Sequence, residues 1–164
     1  MSESYDLERP GRFTVGAIGE PGHRLFYFQG FGTGLEVSVK CEKQQAQALV
    51  EHLLKLLEDL PGAGGTADAP TAAEALPPGE LAWAVGSISI GLDREQGEVV
   101  VVLEEFVDPE ESDEAPAHLR VRLVPEQVRA LAAQVDALVS SSRPLCRLCE
   151  RPIDPSGHAC PRLN

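Results

Sequence analysis

Hydrophobic and polar residues alternate with a period of two in several short runs and recur at helical spacing in two longer ones. Leu35, Val37, Val39 and Cys41 alternate with Glu36, Ser38 and Lys40, the pattern of a strand with one buried face. Leu119, Val121 and Leu123 alternate in the same way with Arg120 and Arg122. The runs Arg24–Gln29 (RLFYFQ) and Glu98–Phe106 (EVVVVLEEF) read as middle strands. The second is apolar at every position from Val99 to Leu103, which predicts a central strand covered on both faces. Turn-forming residues in Glu20–Arg24 (EPGHR) and Asp93–Gly97 (DREQG) separate the first and second strands of each set. Ala46, Leu49, Val50, Leu53, Leu56 and Leu57 make one apolar stripe at helical spacing. Val128, Leu131, Ala132, Val135, Leu138 and Val139 make another, and Pro125 suits the first helical position, where its missing N–H costs nothing.

The two sets resemble each other. FTVGAI (Phe13–Ile18) matches WAVGSI (Trp83–Ile88), and VSVKCEKQQAQALV (Val37–Val50) aligns without gaps on LRVRLVPEQVRALA (Leu119–Ala132). Gln45 meets Gln127 and Leu49 meets Leu131 in that alignment. The expected fold is α+β: a duplicated β-β-β-α unit whose copies form one antiparallel sheet or two packed sheets, with both helices packed on one side and a small zinc-binding extension after them. The first copy spans residues 1–60 and the second residues 81–142. Residues 61–80 (PGAGGTADAPTAAEALPPGE) are rich in Gly, Ala and Pro and read as a flexible linker; residues 143–164 are the extension.

Charge changes the picture of partners. The chain has 164 residues and a formal net charge of −12. Four arginines against Glu150 and Asp154 leave residues 143–164 at +2, so the remainder carries −14. Such a body repels phosphate backbones and anionic lipid, which argues against nucleic acid and membrane as partners and leaves protein. The opening MSESYDLERPG lacks the basic and apolar regions of a signal peptide. No run of about 18 apolar residues occurs that could span a membrane. The expected location is the cytoplasm.

Cys146, Cys149, His158 and Cys160 follow the pattern C-x2-C-x8-H-x-C. In a chain without an export signal, clustered thiols beside a histidine read as metal ligands before they read as disulfides. Three thiolates and one imidazole form a closed tetrahedral set for structural zinc. Pro152, Pro155 and Gly157 suit a chain that must reverse direction between the two ligand pairs.

For catalysis the sequence offers Glu20, His23 and Glu42, all near strand ends. Convergence on a concave pocket would favour an enzyme acting on a phosphorylated or nucleotide substrate. His23 also suits a plain solvent-facing turn, and Glu42 a helix start, where a carboxylate is favoured by the dipole. His52 and His118 read as surface residues and Cys41 as a small core residue. The seven carboxylates between Glu104 and Glu114 lack the ordered spacing of a calcium loop and read as a solvated loop that could attract a basic partner.

Taken together, GRFTVGAIGEPGHRLFYFQ, VSVKCEKQQ and CRLCERPIDPSGHACPR resemble an uncharacterised bacterial family of conserved proteins of unknown function. The resemblance covers nearly the whole chain apart from residues 61–80 and the acidic loop. It implies a cytoplasmic protein with a zinc-ribbon-like end, and it supplies no catalytic residues to carry over. The reading that emerges is a zinc-containing binding or regulatory module without catalytic activity; the alternative is the enzyme built on Glu20, His23 and Glu42.

Overall fold

The computed structural model describes residues 2–20, 22–32, 34–60, 72–140, 147–149 and 159–162. Among them the chain forms β1 (Tyr5–Leu7), β2 (Arg12–Ile18), β3 (Leu25–Gly32), β4 (Leu35–Cys41), α1 (Lys43–Glu58), β5 (Leu81–Asp93), β6 (Glu98–Glu105), β7 (His118–Leu123) and α2 (Pro125–Ser140). The architecture is α+β, with one seven-stranded sheet ordered β1-β7-β6-β5-β4-β3-β2 and two helices. Among the described residues no helix is long and apolar enough to cross a membrane.

β2-β3-β4 and β5-β6-β7 are antiparallel meanders. Their first turns hold Gly22 and Gly97 at φ 94° and 66°, the left-handed region that glycine enters without steric cost. An antiparallel sheet was expected, but the sheet is mixed. β4 and β5 run parallel, as do β1 and β7. For β4 and β5 the reason is the crossover: α1 carries the chain back along the sheet, so the next strand starts from the same end as the last.

The period-two alternation resolves the sheet into two faces. Phe13, Val15, Phe28, Val39, Val101 and Val121 are buried on one of them. They share a single core with Ala46, Leu49, Leu53 and Leu57 of α1 and Val128, Leu131 and Val135 of α2. Phe13 and Phe28 stack across the β2–β3 pair with ring centroids 5.8 Å apart. Because both helices serve that one face, β6 is not covered on both sides as expected. Val99, Val101 and Leu103 are buried, whereas Val100 and Val102 point to the outer face and are half-buried.

The sheet also curls. β1 and β2 stand at its opposite edges, yet only Glu8–Gly11 join them. That connection reaches at most about 18 Å, while seven flat strands would place the edges about 29 Å apart. Leu7 shows where the edges approach. A Cβ placed on Gly30 of β3 would lie 2.8 Å from Leu7 Cδ1, so the bare glycine leaves room for that side chain. Residues before β1 tie to β6, β5 and β7: Ser2 Oγ donates to Glu105 Oε1 (2.5 Å), Trp83 Nε1 donates to the Glu3 carbonyl (3.0 Å), and Ser4 Oγ accepts the His118 N–H (3.0 Å).

Candidate functional site

Three polar side chains interrupt the apolar strands of the first meander, and strand register puts them in one row. Thr14 of β2 stands beside Gln29 of β3, which stands beside Ser38 of β4. They lie on the face opposite the helices, where solvation would be expected, yet their exposures are 0%, 0% and 1%. Residues 72–80 cover them.

The cover is held through its main chain. Gln29 pairs with one residue from both sides: its Oε1 accepts the Leu76 N–H (2.9 Å) and its Nε2 donates to the Leu76 carbonyl (3.1 Å). Tyr27 Oη donates to that same carbonyl at 2.8 Å. Thr14 Oγ1 donates to the Ala73 carbonyl, and Arg12 Nη1 donates to the Glu74 carbonyl at 2.8 Å. Gln29 Nε2 also reaches Ser38 Oγ (3.2 Å) and Glu36 Oε1 (3.1 Å). A buried amide left unpaired costs about 1–3 kcal/mol, so the row and its cover are stable only together.

Gly16 makes the close approach possible. A Cβ there would stand 2.3 Å from the Tyr27 ring and 2.7 Å from Ala75 Cβ. With no side chain on Gly16, the phenol lies across β2 and reaches Leu76. Burial, then the charge of Glu36, raises the Tyr27 pKa above its ordinary value, so the hydroxyl stays a donor at neutral pH. Beside it opens a cleft of about 650 Å³ lined by Tyr27, Ala17, Ile18, Ala75, Pro77 and Pro78.

The residues singled out for catalysis occupy ordinary structural positions. Register places the β2–β3 turn and the end of β4 at one end of the sheet, so Glu20, His23 and Glu42 do share a neighbourhood. All three are exposed, and none lines the clefts described here. The His23 N–H closes the turn on the Glu20 carbonyl at 2.9 Å. Glu42 precedes α1 and donates its N–H to Gln45 Oε1 at 2.8 Å. His52 Nδ1 lies 2.7 Å from the Ala48 carbonyl on the exposed side of α1. Cys41 is buried at 4% exposure, and desolvation followed by the Glu42 charge pushes its thiol up to about 12.

A second, charged cleft of about 360 Å³ lies at the far meander, lined by Glu8, Arg9, Asp93, Gln96, Glu98 and Arg122. Arg122 Nη1 donates to Asp93 Oδ2 at 2.9 Å and stands 3.7 Å from Glu98 Oε2. That hydrogen bond and a second from the Gln96 N–H hold the Asp93 carboxyl below its ordinary value. With three carboxylates against Arg9 and Arg122, the cleft is net negative and has little to offer an anion.

Of the predicted zinc ligands, Cys146 and His158 lie outside the described residues. Cys149 is half-buried and Cys160 is buried at 6% exposure. Among the described residues no three His, Cys, Asp or Glu side chains come together as a metal site. The polar row Thr14–Gln29–Ser38 was the feature that sequence reading passed over. Its signal was present in the sequence: three hydrogen-bonding residues, one in each of three adjacent strands.

No curated protein and no solved structure matches the chain. Residues 5–160 match the model of a family described as a protein of unknown function, DUF3090, and the chain belongs to that family.

Proposed function

We propose that this chain is a binding or regulatory module with a protein partner and no catalytic role, its carboxyl end stapled by a structural zinc held by Cys146, Cys149, His158 and Cys160. The observation that supports the reading is burial: Cys160 is 6% exposed and Cys149 is half-buried. A closed site keeps its sulfurs out of water, and four protein ligands leave no coordination position for a substrate. The reducing cytoplasm suits it, because thiolates there stay available to metal. The two strand-strand-strand-helix segments serve in this reading as a duplicated scaffold that presents the tail.

Metal analysis of reduced, chelator-washed protein tests the staple. One zinc per chain is expected, lost in Cys149→Ser together with protection of the tail from proteolysis. Metal-free wild-type protein, or equal protection with and without chelator, would overturn it. A pulldown from native lysate with the full chain, repeated with Cys149→Ser and Cys160→Ser, tests the partner: binding that survives loss of zinc would separate the partner surface from the tail.

A further inference from the structure

We infer that the outer face of β2, β3 and β4 is a recognition site for an extended, proline-containing peptide, occupied in this chain by its own residues 72–80. The inference is independent of the zinc reading. Its basis is the direction of the contacts. Arg12, Thr14, Tyr27 and Gln29 all address main-chain atoms of Ala73, Glu74 and Leu76, while Leu76 as a residue is 53% exposed. A segment gripped by its backbone can be exchanged for another of the same conformation. That is how sheets and aromatic-lined grooves accept added peptides.

Gln29 is the centre of the site. Its amide offers one acceptor and two donors, and on Leu76 it satisfies an N–H and a carbonyl at once, as a neighbouring strand would. The residue is fully buried and lies on the sheet face that no helix covers. Ser38 and Glu36 offer its Nε2 acceptors within the sheet, but its Oε1 is met by the N–H of the extended chain above it.

Shape sets the class of ligand. Ala75 packs closely over Gly16, where a Cβ added to the glycine would come within 2.7 Å of the Ala75 Cβ, so a small residue suits that place. Pro77 and Pro78 line the cleft of about 650 Å³ beside the Tyr27 ring. Paired prolines hold an extended helix at little entropic cost and dock well on aromatic surface. The favoured ligand therefore has a small residue, then a residue whose side chain faces solvent, then two prolines.

Fluorescence anisotropy with the full chain and a labelled Ala-Ala-Glu-Ala-Leu-Pro-Pro-Gly-Glu peptide, the sequence of residues 72–80, tests the inference. The tethered copy competes at an effective concentration on the order of millimolar, so the wild-type chain should bind the peptide weakly. Leu76→Pro removes the N–H that Gln29 accepts and weakens that competitor. The variant should bind the wild-type peptide at least tenfold more tightly, and adding Gln29→Leu should abolish the gain. A folded Leu76→Pro chain, judged by circular dichroism and cooperative melting, that binds no better than wild type would overturn the proposal. One measurement needs no variant: in wild-type protein, millimolar peptide should speed hydrogen exchange at the Leu76 amide. Exchange that stays constant across the titration would overturn it as well.

Discussion

Gln45 and Gln127 occupy matching positions, each at the third residue of its helix and each bonded in two directions. Gln45 Oε1 accepts the Glu42 N–H at 2.8 Å, and its Nε2 donates to the Val85 carbonyl at 3.2 Å. Gln127 Oε1 accepts the Val124 N–H at 3.1 Å, and its Nε2 donates to the Pro10 carbonyl at 2.8 Å. Each glutamine thus caps a helix start and ties it to the segment that runs parallel to the preceding strand or follows directly from it. Replacing either by Ala should cost about 1–2 kcal/mol, the loss of a cap and one further hydrogen bond. Replacement by Glu keeps the acceptor, removes the donor and should cost less. The two sites share no partner, so the double variant should show the sum of the single losses in urea titrations.

Leu7 and Gly30 make a second pair that can be tested. Gly30→Ala places a methyl 2.8 Å from Leu7 Cδ1, and overpacking of that kind should cost about 1–3 kcal/mol. Leu7→Ala alone should destabilise by about 2–5 kcal/mol, because Leu7 is buried at 6% exposure. The double variant should lose less than the sum, since the smaller side chain relieves the clash. Strict additivity would show that the two edges of the sheet do not meet through these residues.

Alkaline pH should weaken the fold through Cys41. Burial holds its thiol neutral up to about 12, against an ordinary value of 9.0. The unfolded chain loses that proton first, so the contribution is full below 9.0 and falls away as pH rises toward about 12. Stability measured by urea at a series of pH values should decline less steeply over that window in Cys41→Ala. Tyr27, also raised by burial, should account for part of the decline that remains. An identical slope in the variant would rule Cys41 out as its source.

Acid should act through Asp93. The Arg122 hydrogen bond holds that carboxyl below its ordinary value of 3.8, so the stabilisation is present above that value. It disappears as pH falls through the depressed one. Arg122→Met should flatten the acid limb of the stability profile and leave its slope near neutrality unchanged. Parallel acid limbs in the two proteins would assign the acid loss to other carboxylates.

Much of the scaffold could be read from the amino acids because burial in a sheet or a helix imposes a period. The alternation of Val37 and Val39 with Ser38 located β4 and its faces, and Pro125 marked the first residue of α2. β1 escaped, since Tyr5–Leu7 is too short to show a period, and its parallel partner Leu119–Val121 lies near the other end of the chain. Residues 72–80 escaped for a different reason. Their hold on the sheet comes from backbone N–H and carbonyl groups, which every residue except proline carries in full and which hydropathy does not register. Thr14, Gln29 and Ser38 gave the hint, and polar residues at alternate positions of a strand look like any solvent-facing ones. Glu20, His23 and Glu42 were correctly placed near strand ends, but the turn and the helix start account for the positions they occupy.

The place of β1 beside β7 puts synthesis and assembly out of phase. A strand translated early has to wait for nearly the last one before it can pair, and once β7 is made its outer edge stays bare until β1 docks. A refolding chain meets the same delay, because its ends must find one another across a large sequence separation, the kind of pairing that forms slowly. Removing Tyr5–Leu7 would make that temporary edge permanent, leaving a row of unpaired backbone groups open to a neighbouring chain.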